Sequence, residues 1–285
     1  MPDNEELTYS SKETSTGHSL AEGKYLDTHY ECMRFEYETM LKDAGIQLGW
    51  SVLDAGAGGG SFLPLMSQLV GSAGHIDALD LAPENIEMID EQSRAGRYAS
   101  SVVAKAGSIL NLPYENEQFD LIWSANVTQY LTDEELSQTI KEFRRVTRSG
   151  GLVVIKEVDM DACRQVAPFP PLMFKRILEA VSGMTQVAGV LRTTMLPFWL
   201  RKAGLVDVTY KTYLGERMHP LDKQTRSFIE GLLAFWGNAA IQLDLPEQDL
   251  IQWRRTLDKD SPDYILNDPN FYWREVWGLV KGRVP

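Results

Sequence analysis

Short apolar runs alternate with stretches of helical spacing through the first half of this chain. Val52-Leu53 leads into Asp54 and a glycine turn, and the apolar run Phe62–Val70 then starts a helix. His75–Asp80 reads as a second strand, followed through Leu81-Ala82-Pro83-Glu84 by a helix to Ser93. Phe119–Ser124 and Leu152–Lys156 read as the fourth and fifth strands. Strands separated by helices predict an α/β, doubly wound sheet, which binds ligands at the carboxyl ends of its strands. A helix over about Leu26–Ala44 precedes the first strand. After the fifth, Phe169–Gln186 and Leu191–Ala203 read as helices, Val206–Tyr213 as a sixth strand and Tyr272–Val280 as the last. The connection between those last two strands is far too long for a hairpin loop. It shows helical spacing at Phe228, Leu232 and Phe235 and again over Leu250–Leu257.

The turn after the first strand carries the chemistry. Its sequence is Asp54-Ala55-Gly56-Ala57-Gly58-Gly59-Gly60. Glycines 56, 58 and 60 admit backbone angles closed to other residues and let a ligand lie against the main chain. The helix that follows presents unpaired N–H groups. Dinucleotide enzymes use Gly-x-Gly-x-x-Gly/Ala there, but the sixth position from Gly56 is Ser61, and from Gly58 it is Leu63. An acid at the strand's end repels a pyrophosphate and suits a cationic amino group. The next strand also ends in an acid, Asp80, placed to accept ribose hydroxyls or to cap the helix at Pro83.

This pattern resembles the first motifs of class I S-adenosylmethionine-dependent methyltransferases. Ala106–Tyr114 and Gln118–Ser124 resemble the family's stretch into the fourth strand, and Arg144–Gly151 its turn before the fifth. The resemblance covers about residues 45–160 and is closest to ubiquinone/menaquinone-biosynthesis and natural-product enzymes. It implies a Rossmann-like, seven-stranded sheet with a helical cap and S-adenosylmethionine as cofactor. Asp54, Gly56, Ala57, Gly58 and Gly60 then face the methionine end, Asp80 the ribose, and Leu81 the adenine. Ser108 stands where the family often has an acid for the adenine amino group, so Ser108 or the backbone near Gly107 and Ile109 takes that bond. Asn126 and Val127 fall beside the methionine part. The segment before the first strand often folds over the cofactor, which brings in Tyr25 and Arg34; the plainer expectation for Arg34 is a solvated helix face.

Composition narrows the partners. With 28 basic and 40 acidic residues the net charge is −12, against the basic face that nucleic-acid enzymes present. The Asn/Asp-Pro-Pro-aromatic motif of base-methylating enzymes is absent after the fourth strand, which continues Ser124-Ala125-Asn126-Val127. No apolar stretch approaches a membrane span. Cys32 and Cys163 form no metal cluster, and Cys163 reads as an inert thiol or one near the site. No metal ligand set is visible. Residues 1–23 are polar, without the apolar core of a signal peptide, and a cytoplasmic enzyme is expected. The oligomeric state is left open.

The expected layout is a flexible tail over 1–23, a core over 24–217, a helical lid over 218–270, and the final strand over 271–285. Lid and cap are rich in Met173, Phe174, Met184, Met195, Phe198, Trp199, Phe228, Phe235 and Trp236. These pack as cap core, and a subset lining a pocket would favour an apolar or aromatic small-molecule acceptor. The base candidates are His29 and His219 in the presumed lids and Glu157 after the fifth strand. Two other readings remain: a cofactor-binding protein that does not methylate, and a nicotinamide-dependent oxidoreductase.

Overall fold

The computed structural model describes residues 23–166, 189–241 and 246–285. Helices α1 (Gly23–Cys32) and α2 (Arg34–Asp43) precede β1 (Ser51–Ala55). Then come α3 (Leu63–Val70), β2 (His75–Asp80), α4 (Pro83–Arg94), β3 (Ser101–Ala106) and β4 (Phe119–Ala125). Next are α5 (Asp133–Val146), β5 (Thr147–Val158) and the short β6 (Arg164–Val166). The expected helix Phe169–Gln186 lies outside the described residues. The chain continues with α6 (Leu196–Lys202), β7 (Val206–Met218), α7 (Lys223–Ile241), α8 (Glu247–Leu257) and β8 (Tyr272–Arg283).

All eight strands form one sheet in which β1 lies parallel between β2 and β4, and β3 and β5 extend it on either side. β8 runs antiparallel to β5, with Val158 opposite Trp277 and Leu152 opposite Arg283. β7 runs antiparallel along β8, from Val206 opposite Arg283 to Met218 opposite Tyr272. Because β7 occupies one edge of β8, β6 continues the edge that β5 begins, pairing with Tyr272–Arg274. The seven expected strands are present, and β6 is an addition of three residues.

Successive strand residues point to opposite faces, and the apolar pattern obeys this. Val52, Leu121, Trp123 and Val154 feed one core, while Leu53, Ile122, Val153 and Ile155 feed the other. The parallel strands end at one edge of the sheet. β7 runs in the same direction as β5, so residues 219–271 leave from that edge as well. There α7 packs on α1, with the Phe228 ring stacked on the His29 imidazole at 4.3 Å.

The helix expected over Leu26–Ala44 is broken. Met33 leaves helical geometry (φ −110°, ψ 21°) and is fully buried beside Gly215 and Trp277. The break lets α1 pack on α7 while α2 packs on α3 and β7. The ladders also lengthen β5 and β7 beyond their apolar runs: β5 begins at Thr147 opposite Phe119 and continues to Val158 opposite Trp277, and β7 pairs with β8 as far as Met218. Among the described residues no helix is long and apolar enough to cross a membrane.

Trp277 ties this packing together. It is fully buried, its ring meets Tyr37 edge-on at 5.3 Å, and a Cβ added at Gly215 would lie 2.7 Å from it. Trp277→Ala should cost about 3–5 kcal/mol, and Trp277→Phe clearly less, in urea unfolding monitored by circular dichroism. Equal losses would show that the indole's size is not what the site requires.

Candidate active site

A cavity of about 370 Å³ opens at the carboxyl edge of the sheet. One part is built on the glycine turn. Gly56 and Ala57 donate their N–H groups to the Leu79 carbonyl at 2.8 and 2.9 Å, which pins the turn to β2. Gly56 has φ 85°, and a Cβ there would lie 2.4 Å from Val127, so only glycine lets the two segments approach. Gly60, also at φ 85°, packs against Leu63 and Ile89 and shapes the turn from outside the cavity wall.

The two acids differ in state. Asp54 is 1% exposed, and its Oδ2 meets no hydrogen-bond donor. Burial, with the charge of Asp80 adding, pushes its pKa up to about 8. Asp80 is firmly held: Oδ2 accepts from Gly58 N–H at 2.8 Å, and Oδ1 from Ala82 N–H at 2.9 Å and Asn85 Nδ2 at 3.0 Å. It therefore steadies the start of α4 and the glycine turn together. Three donors leave roughly one acceptor position of the carboxylate's four for a ligand hydroxyl. Ser108 Oγ accepts the Leu110 N–H at 3.2 Å.

Asn126 takes a left-handed angle (φ 59°) and is fixed from behind. Lys156 Nζ donates to its Oδ1 at 2.6 Å and lies 3.8 Å over the Tyr37 ring. Lys156 is fully buried, and burial brings its pKa down to about 7 against the opposing pull of Glu275 and Glu157. At the other end of the cavity His29 Nε2 lies 2.9 Å from both Glu275 Oε1 and Tyr37 Oη.

Asp54, Gly56, Ala57, Gly58, Asp80, Leu81, Gly107, Ser108, Ile109, Asn126, Val127 and His29 all line this one cavity. Four expected residues do not: Gly60, which lies outside the wall, and three others. Arg34 is exposed on α2 and pairs with Glu31, because its helical position faces outward. His219 is exposed just past β7. Glu157 points into the core beneath the loop after β4: Oε2 accepts from Thr128 Oγ1 at 2.6 Å and Gln129 N–H at 3.2 Å, and burial raises its pKa. Strand alternation, not sequence position, put Lys156 rather than Glu157 beside Asn126. The side chains of Tyr25, Phe235 and Trp236 lie outside the described residues. Cys163 lines the cavity as a buried thiol whose pKa is raised by burial and by Glu275, which makes it a poor nucleophile.

Sequence reasoning missed Glu275 and Asn85. Neither belongs to a recognisable motif, and Glu275 lies in the last strand, where alternation with the buried Trp273 and Trp277 was the available signal. Among the described residues no cluster of His, Cys, Asp and Glu is placed to hold a metal.

The sheet order and a glycine turn between two strand-end acids define an α/β enzyme that binds a nucleoside-bearing cofactor. Residues 52–151 match a family model described as a methyltransferase domain. The chain is 27% identical over 191 residues to a demethylmenaquinone methyltransferase of Halalkalibacterium halodurans, covering 61% of this chain and 75% of that one. It is 35% identical over 128 residues to a malonyl-[acyl-carrier protein] O-methyltransferase of Pseudescherichia vulneris, covering 45% and 46%. In fold it resembles the YcgJ protein of Bacillus subtilis (TM-score 0.54, 16% identity, 88% and 98% covered). It also resembles a phosphoethanolamine N-methyltransferase of Haemonchus contortus bound to phosphomonomethylethanolamine and S-adenosylhomocysteine (TM-score 0.53, 15%, 92% and 58%). The protein is a class I S-adenosylmethionine-dependent methyltransferase. The site fits that cofactor: an unpartnered buried carboxylate and a turn into which a Cβ would intrude are what a cationic amino acid end against the main chain requires.

Asp54 carries a pH dependence. Between about pH 4 and 8 the folded apoprotein keeps a proton that the unfolded chain has released, so stability falls as pH rises through that window. Asp54→Asn should therefore raise the apo melting temperature by a few degrees at pH 8 and by less at pH 5. A gain independent of pH would contradict this.

Proposed function

We propose that this methyltransferase acts on a small, apolar or aromatic acceptor in the cytoplasm, with the cofactor held along the glycine turn. The observation that carries the assignment of the cofactor end is Asp54, whose unfilled Oδ2 is suited to the cofactor's ammonium group. Asp80 takes a ribose hydroxyl, Leu81 and Ile109 flank the adenine, and the backbone around Gly107 and Ser108 meets its edge. Asn126, held by Lys156, and Val127 border the methionine part. A nicotinamide cofactor is not favoured, because the turn lacks the dinucleotide pattern.

S-adenosylmethionine supplies a methyl group already activated by its sulfonium charge. What remains for the chain is to align the acceptor, exclude water and receive a proton where the acceptor carries one. α1 and α7 close the inner end of the cavity, and Phe228 and Leu232 of α7 line it. This supports residues 218–270 as a lid over a core of 24–217 and 271–285. His29 is the base of choice among the candidates. It lines the cavity, and because an ionised carboxylate only accepts, its Nε2 carries hydrogen toward Glu275.

Calorimetry should give micromolar binding of S-adenosylhomocysteine and none of NADH. Asp80→Ala should weaken it roughly ten- to a hundredfold, the loss of a charge-assisted bond and a steadied turn. Tight NADH binding, or unchanged affinity in Asp80→Ala, would refute the assignment. Phe228→Ala should raise the acceptor's KM while leaving S-adenosylhomocysteine affinity within a few-fold; equal loss of both would move α7 into the cofactor site.

A further inference from the structure

Tyr30, Phe62, Met160, Phe228, Leu232 and Trp273 give the inner half of the cavity an aromatic and apolar wall, in which the hydrogen-bonded pair His29 and Glu275 is polar. That carboxylate is 4% exposed. Its Oε1 accepts from His29 Nε2 at 2.9 Å and from the Trp277 indole N–H at 3.1 Å, while no donor reaches Oε2. Its backbone is held in the ladder opposite Gly215. Burial alone would raise its pKa, but the His29 imidazole and Lys156 outweigh burial and hold it below the ordinary value. An ionised, half-satisfied carboxylate in an apolar enclosure is costly until a donor arrives.

We propose that Glu275 Oε2 anchors the acceptor, taking a hydrogen bond from an O–H or uncharged N–H on an otherwise apolar molecule and turning away acceptors that bring a carboxylate or phosphate into this half. A second cation gains little there, because Lys156 and two N–H donors already face the carboxylate. The aromatic walls set the shape of the molecule, and Glu275 sets the one polar feature it must carry. The inference rests on the reading of this half as the acceptor site of a methyltransferase.

The test uses the full chain saturated with S-adenosylhomocysteine and three probes sharing one aromatic body: 2-naphthol, 2-methoxynaphthalene and 2-naphthoate. Wild-type protein should bind 2-naphthol at least roughly tenfold more tightly than the other two by calorimetry. In Glu275→Gln the naphthol–ether gap should close to about threefold or less and the naphthoate should gain, with S-adenosylhomocysteine affinity unchanged. Glu275→Asp serves if the amide variant does not fold: it should keep discrimination against the naphthoate and lose part of that against the ether. The proposal is overturned if wild type binds the ether or the naphthoate as well as the naphthol, if it binds none of the three, or if the ranking survives in Glu275→Gln. Failure of wild type to bind S-adenosylhomocysteine would instead remove the underlying methyltransferase reading.

Discussion

Asp54 stands at the next-to-last position of β1 with its side chain out of water and one oxygen bonded to nothing. Burying a carboxylate unpaired favours its neutral form and costs stability. The surrounding structure accounts for how it is kept. The turn beyond it cannot move away, because Gly56 and Ala57 are bonded to Leu79 and Gly56 lies against Val127. Asp80, whose charge adds to the upward shift at Asp54, is held in place by Gly58, Ala82 and Asn85. The parallel ladder thus brings an unpartnered acid and a firmly bonded acid together around one glycine turn.

The cavity repeats this arrangement at its other end. Glu275 is likewise buried with one oxygen unfilled, yet its state is the opposite of that of Asp54. Two N–H donors and Lys156 favour its charged form, whereas Asp54 has no donor at Oδ2 and favours its neutral form. Two carboxylates in one cavity are therefore tuned apart by their neighbours, one suited to a cation and one to a neutral donor. Lys156 serves both acids' surroundings: it fixes Asn126 on the cavity wall and its charge favours the ionised form of Glu275.

Much of this was legible in the sequence because it is local. The glycine turn, the strand His75–Asp80 and the parallel strands carry their signals in consecutive residues, and most of the residues expected around that turn line the one cavity. The proposed acceptor half joins residues 246 positions apart, His29 with Glu275, and no local pattern announces that contact. The break at Met33 was hidden for the same reason, since it answers to α7 and β7 rather than to its own helical spacing. Glu157 was misplaced by one step of strand alternation: it shares the sheet's edge with Lys156 but faces the loop beneath.

The account turns on the state of Asp54 before and after the cofactor arrives. Calorimetric titration of S-adenosylhomocysteine at pH 7, repeated in buffers of different ionisation enthalpy, reads the protons exchanged on binding. A carboxyl neutral in the apoprotein and ionised against the ligand's ammonium should release close to one proton per cofactor bound, and Asp54→Asn should abolish that release. Binding of normal affinity with no proton released, or release that persists in Asp54→Asn, would contradict the account.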